Sequence, residues 1–192
     1  MLRFGKVIIT PGFFLMLGVS LFLGATEVLP LVALAALLHE MGHLLALRLF
    51  GVCVNEIHFT VFGAEIRADT RFLPYWKDVI CTLAGPGVNI FSALILSRIA
   101  GDYLLAGANL LQGAFNLLPL TGLDGARSLH LLISWLLDPV RADRICRVVE
   151  SSCVLMIAVW SLYLVLCCRT GGFLLIAVAG ILVNIWREIR VK

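Results

Sequence analysis

Val28-Leu29-Pro30-Leu31-Val32-Ala33-Leu34-Ala35-Ala36-Leu37-Leu38-His39-Glu40-Met41-Gly42-His43-Leu44-Leu45-Ala46-Leu47 is the stretch on which the reading turns. An apolar run of about 20 residues is long enough to cross a bilayer as a helix. Three ionisable residues, His39, Glu40 and His43, interrupt this one. At about 100° per residue the two histidines fall about 40° apart on one helix face. At about 1.5 Å per residue they sit one turn, about 6 Å, apart. Two imidazoles in that relation can share one Zn²⁺. Glu40 points about 60° to the side of His43. That suits a general base in metal-assisted hydrolysis rather than a third ligand. The site lies about 13 Å along the helix from Arg48. Ionisable residues at membrane depth are costly and mark function.

Working outward, the 192-residue chain is 61% hydrophobic and only 14% charged. Soluble domains carry about 25% charged residues. A soluble fold and a disordered chain are both excluded on that ground. Uncharged runs lie between Lys6 and Glu27, Glu27 and Arg48, Asp78 and Arg98, Asp102 and Asp124, Glu150 and Arg169, and Arg169 and Arg187. These predict an all-α polytopic membrane protein of about six transmembrane helices. The runs do not alternate as barrel strands would. No convincing cleavage site follows the first run, so it reads as a span and not a signal peptide. With six spans, thirteen of the fifteen Lys and Arg residues face one side, and only Arg98 and Arg169 the other. Basic residues accumulate on the cytoplasmic face, so both termini are expected there. The net charge of +3 then needs no nucleic-acid partner.

Residues 54–69 break the apolar pattern. Ile57, Phe59 and Val61 alternate with Glu56, His58 and Thr60, and Gly63 can turn the chain. This predicts a short membrane-associated β-hairpin after the second helix, at the interface or lining a cavity. Residues 127–150 read as a cytoplasmic connection with amphipathic helical character. The six cysteines show no metal or disulfide spacing and read as packing residues.

A catalytic zinc usually takes three protein ligands. Glu56, Glu65, Asp69, Asp138 and Asp143 read as solvated charges, and His58 and His130 as surface or interface histidines. Asp78 opens the third span and competes as a ligand. Asp124 stands out, because Pro119, Gly122 and Gly125 break the helix around it and let the chain aim a carboxylate inward. A helix cap is the alternative. Charge balance favours the ligand: Zn²⁺ with Asp124, Glu40 and two neutral histidines sums to zero, the least costly arrangement in a low dielectric. Ala84-Gly85-Pro86-Gly87-Val88-Asn89 reads as a kink with a close helix contact. Asn89 could instead donate to a substrate carbonyl or oxyanion. Asn109, Gln112 and Asn116 share one face, for interhelical bonding or a wet cavity.

Together, His39-Glu40-Met41-Gly42-His43, Ala84-Gly85-Pro86-Gly87-Val88-Asn89, and Asn116-Leu-Leu-Pro119 leading to Leu123-Asp124-Gly125 resemble the site-2 protease family of intramembrane zinc metalloproteases. The resemblance implies His39, His43 and Asp124 as ligands of one Zn²⁺ and Glu40 as catalytic acid/base. It gives Asn89 a substrate or oxyanion role. It implies substrate binding by strand addition at the hairpin, around Phe59, Val61, Phe62 and Gly63. Six spans and Phe62-Gly63-Ala64-Glu65 are most like the compact stage IV sporulation branch, which matures a pro-sigma factor. The implied partners are such a precursor or another membrane-tethered regulator, with inhibitor or regulator proteins in the membrane. A bacterial plasma or forespore membrane is the implied location. Residues 1–192 read as one metalloprotease domain without a PDZ or CBS domain. Thr121-Gly122 and Ala126 depart from the branch, where a Pro-rich pair and Gly are common. A non-catalytic membrane metal-binding protein or metal carrier is the rival, and a carrier should string ionisable groups along several spans.

Overall fold

The computed structural model describes residues 2–4, 7–10, 26–60 and 63–168. The quoted stretch forms helix α1, Val28–Leu49. Its buried positions include Ala35, His39, Gly42 and Ala46, spaced as one helical face. Val28, Val32, Leu37, Met41, Leu45 and Leu49 point outward and are exposed. Small and polar residues face inward and large apolar ones outward, the reverse of a soluble helix and the order that lipid demands. The chain is a membrane protein. Gly51 ends α1 with φ at +74°. The Gly51 amide donates to the Arg48 carbonyl at 3.1 Å and the Val52 amide to the Leu47 carbonyl at 2.9 Å. That double bond is the Schellman stop, for which glycine is the usual residue.

Strands β1 (Leu2–Phe4), β2 (Val7–Ile9), β3 (Val54–Thr60) and β4 (Gly63–Ala68) form one sheet in that order. β3 and β4 are the expected antiparallel hairpin, with His58 opposite Glu65 and Phe59 opposite Ala64. The sheet is larger than expected, because β2 pairs parallel to β3 and β1 antiparallel to β2. Val7-Ile8-Ile9 therefore belongs to a strand and not to the first apolar span. The β-branched residues suit a strand, and Ile8 is buried. The remainder of that run, residues 11–25, and the sixth run, beyond residue 168, lie outside the described residues.

Helix α2, Tyr75–Ile95, returns antiparallel to α1 and continues through a π turn at Leu96–Ala100. Helix α3 is Tyr103–Asn116, α4 is Asp124–Leu136 and α5 is Pro139–Cys168. Three described segments are long and apolar enough to cross a membrane: Val28–Leu49, Tyr75–Ala100 and Pro139–Cys167. The fourth predicted run is not among these three. Its helix has 14 residues, about 21 Å, against a hydrocarbon core of about 30 Å. The chain leaves the helix early to build the turn that carries Asp124.

α1, α2 and α3 pack on one another, α4 packs on α2, and α5 on α4. A core of Ala46, Leu47 and Cys81, with Val54, Ile66 and Ala68 against it, docks the sheet onto one end of α1 and α2. The same end carries Arg48, Trp76 and Lys77, with the Lys77 ammonium 5.4 Å from the Phe50 and Trp76 ring centres. Basic and aromatic residues of this kind anchor helices at a membrane interface. A second core of Leu120, Cys153 and Val154, with Leu118, Leu123 and Ile157, holds the 117–123 turn against α5.

Candidate metal centre

The local sequence explains how Asp124 reaches the histidines. The Leu123 amide donates to the Leu120 carbonyl at 3.0 Å, closing a turn over Thr121 and Gly122. Gly122 has φ at +93°, the third-position glycine of a type II turn. The Thr121 amide donates to Glu150 Oε1 at 2.7 Å, which ties the turn to α5. A Cβ on Gly125 would lie 2.2 Å from the Leu117 carbonyl oxygen, so glycine is required for α4 to start this close to the end of α3. Asp124 then opens α4, where the helix dipole favours a carboxylate.

Three ligand atoms converge. His39 Nε2 and His43 Nε2 are 3.1 Å apart. Asp124 Oδ2 is 3.0 Å from the first and 3.2 Å from the second. Tetrahedral bonds of about 2.0–2.1 Å to zinc separate neighbouring ligand atoms by about 3.3 Å. The triangle fits that ion with little adjustment. Among the described residues this is the one group of three or more such side chains close enough to share a metal.

The protons point to the same conclusion. His43 Nδ1 lies 2.8 Å from the Cys81 carbonyl oxygen. A carbonyl only accepts, so Nδ1 carries the hydrogen and, in the neutral ring, Nε2 carries a lone pair. His39 Nδ1 lies 3.1 Å from Asn89 Oδ1 and reads the same way. Two lone pairs and a carboxylate oxygen then face one another with no hydrogen between them. A cation is the group that such a cluster of acceptors calls for, and anchoring of the distal nitrogens is how metal-bound histidines are held.

Helix packing makes room for the centre. A Cβ on Gly85 would lie 2.3 Å from His43 Nε2, and one on Gly42 2.5 Å from the Ala84 carbonyl oxygen. The two glycines let α1 and α2 cross with the imidazole between them. Glu40 is half-buried, next to His39 in α1.

The other candidates are placed as follows. Asn89 is fully buried, with its amide on His39, Ala35 and Asn109. Asp78 is away from the histidines: Arg127 donates to its Oδ1 at 2.9 Å, and the Thr70 hydroxyl to its Oδ2 at 3.2 Å. His58 pairs with Glu56 at 2.8 Å, and His130 with Asp143 at 2.9 Å. Asp69 lies at the surface, where Arg71 holds its carboxyl down at about 2. Phe59 is in β3 with strands on both sides. Gly63 begins β4, and Val61 and Phe62 lie outside the described residues. Sequence reasoning missed three partners. The Cys81 carbonyl is main chain and carries no side-chain signal. Glu150 and Asn109 are far in sequence from the residues they hold. Asn109 had been seen only as part of a polar face.

The chain is similar to curated proteins and to solved structures. The chain is 24% identical to a zinc metalloprotease of Methanocaldococcus jannaschii over 143 residues, 69% of this chain and 42% of that protein. It is 25% identical to stage IV sporulation protein FB of Bacillus subtilis over 169 residues, 83% of this chain and 59% of that protein. The chain thus spans about half the length of the curated relatives it matches. No family profile matches the sequence. Its fold is that of the site-2 protease from Methanocaldococcus jannaschii, with a TM-score of 0.67 at 22% identity over 94% of this chain and 90% of that one. The resemblance read in the sequence is borne out by these likenesses.

Proposed function

We propose that this chain is an intramembrane zinc metalloendopeptidase that hydrolyses a peptide bond of a membrane-associated protein. One observation carries the reading: two histidine nitrogens of an apolar helix, which also bears a glutamate, meet a carboxylate oxygen from the start of α4 at 3.0–3.2 Å. The named relatives are a zinc metalloprotease and a sporulation protein, and the shared fold is that of a site-2 protease. His39, His43 and Asp124 would hold one Zn²⁺. When bound, that ion would supply Lewis-acid chemistry, polarising a carbonyl and making water easier to deprotonate.

The chain's own residues do the rest. Glu40 takes the proton from the attacking water and delivers it to the leaving amine, general acid–base work worth about 10²–10⁴ in rate. Gly85 leaves the space in which His43 Nε2 and its neighbours meet. The His39 side chain is sealed at 5% exposure, whereas His43 and Asp124 keep 14% and 21%. Water and substrate therefore approach from the His43–Asp124 side. β3 has partners on both sides, which leaves β1 and β4 as the edges among the described strands; the substrate strand adds to β4, the hairpin strand that Gly63 begins.

The proposal includes six spans, both termini in the cytoplasm, and one domain over residues 1–192. The substrate class is a membrane-tethered regulator or precursor, such as a pro-sigma factor in a bacterial plasma or forespore membrane. Co-expression of candidate tethered precursors with the chain and with its Glu40→Gln variant tests it. Cleavage that depends on Glu40 is expected, and undiminished cleavage by Glu40→Gln would sink the mechanism. A metal carrier would also have to conduct zinc across liposomes, which the peptidase should not.

A further inference from the structure

We propose that Asn89 is a positioning residue for the metal centre: with Asn109 it fixes His39 in the tautomer that turns the Nε2 lone pair toward the metal. Two backbone carbonyls, of Leu105 and Ala35, set the polarity of the network. The Leu105 carbonyl can only accept, so the Asn109 amide nitrogen faces it, at 2.9 Å. That leaves Asn109 Oδ1 toward Asn89, whose Nδ2 approaches it at 3.4 Å. The same Nδ2 donates to the Ala35 carbonyl at 3.2 Å. Both hydrogens of the Asn89 amide are thereby taken. Its oxygen is left for His39 Nδ1, at 3.1 Å.

Reversing Asn89 would set its oxygen against the oxygens of Ala35 and Asn109. Both asparagines are fully buried. Two mismatched contacts in a low-dielectric interior are not tolerated. The polarity of the network is therefore imposed by main-chain groups and passed to the imidazole. Gly113 brings α3 near enough for this, since a Cβ there would lie 3.1 Å from the Asn89 Cβ. The two histidines differ in one respect. His43 is oriented by the Cys81 carbonyl, which no side-chain substitution removes. His39 is oriented by a side chain. In the other tautomer His39 would present an N–H where the cluster needs a lone pair. This assignment also takes Asn89 away from the substrate, because neither of its N–H groups remains to donate to a substrate oxygen.

The inference rests on the metal reading above, and the experiment separates the two. The full chain in nanodiscs at alkaline pH, with ¹⁵N-labelled histidine, reports ring tautomers in the metal-free state with the rings neutral. Zinc affinity is measured by chelator competition on the same material. The wild type is expected to show one Nδ1–H tautomer for each of His39 and His43. Asn89→Leu should give mixed tautomers at His39 alone, with His43 unmoved, and a zinc affinity lower by about 10–100-fold. Asn109→Leu removes one constraint and should release His39 in part, which covers an Asn89→Leu protein that does not fold. A single His39 tautomer in both Leu variants would overturn the inference. So would zinc affinities within twofold of wild type, with the loss confined to turnover, as a substrate contact requires. A wild type that binds no zinc would overturn the metal reading, while the tautomers would still test Asn89.

Discussion

Gly85→Ala is the most informative single substitution, because it adds one carbon at the centre. The new Cβ would lie 2.3 Å from His43 Nε2, 2.7 Å from Cε1 and 2.8 Å from Cδ2. Ordinary contact needs roughly 3.5 Å, so the imidazole has to move by about 1 Å. Rotating it off its rotamer costs about 0.5–1.5 kcal/mol. It also gives up the bond to the Cys81 carbonyl, worth about 0.5–1.5 kcal/mol net. Parting the helices instead gives up the close packing of Gly42 on the Ala84 carbonyl. The total is about 1–3 kcal/mol taken from the arrangement that holds the metal, or about 5–150-fold in zinc affinity. Gly87→Ala is the matched control: same helix, same chemical change, with nothing within 4 Å of the added carbon. Chelator competition on the purified chain, with melting curves for folding, reads the effect. Gly87→Ala should bind zinc as the wild type does. A folded Gly85→Ala protein with zinc affinity within twofold of wild type would refute the packing argument.

Other consequences are equally specific. Gly125→Ala drives a carbon into the Leu117 carbonyl, a main-chain group that cannot rotate aside; it should cost about 3 kcal/mol and abolish cleavage, read by thermal denaturation and a cleavage assay. Arg127→Met leaves the Asp78 carboxylate, 7% exposed, without its cation. Because Arg127 is half exposed, about 1–2 kcal/mol is expected, less than for a fully buried pair, and Asp78→Asn in the same chain should recover part of it in a double-mutant cycle. Asp69 titrates at about 2 because of Arg71. A depressed carboxylate adds stability that is whole above the ordinary Asp pKa and lost as pH falls through the folded value. Arg71→Ala should therefore raise the Asp69 pKa toward 4, seen by carboxyl ¹³C titration, and lower stability slightly at neutral pH, a difference that disappears as pH falls through about 2.

How much was legible depended on how much each feature disturbed the apolar background. His39, Glu40 and His43 stood out because lipid disfavours each of them. Asp124 stood out because Pro119, Gly122 and Gly125 broke a helix for no other reason, and each glycine now has a geometric cause. Gly85 was readable as a close contact, but not as one against an imidazole, since the crossing of α1 and α2 decides its neighbour. The network from Leu105 through Asn109 and Asn89 was invisible, because it depends on which amide faces which carbonyl across three helices. Val7-Ile8-Ile9 was hidden inside a longer apolar run. Its parallel pairing with β3 leaves no local turn for the sequence to announce. The fourth helix was overestimated in length because the 117–123 turn is built mostly from leucines, which look like membrane.

The central claim is a zinc centre of His39, His43 and Asp124 that works through Glu40. Zinc per chain, measured on purified wild type, Glu40→Gln and Asp124→Ala alongside cleavage by the same preparations, tests it most directly. One zinc and cleavage in the wild type, one zinc and no cleavage in Glu40→Gln, and neither in Asp124→Ala are predicted. A full complement of zinc with undiminished cleavage in Asp124→Ala would contradict it.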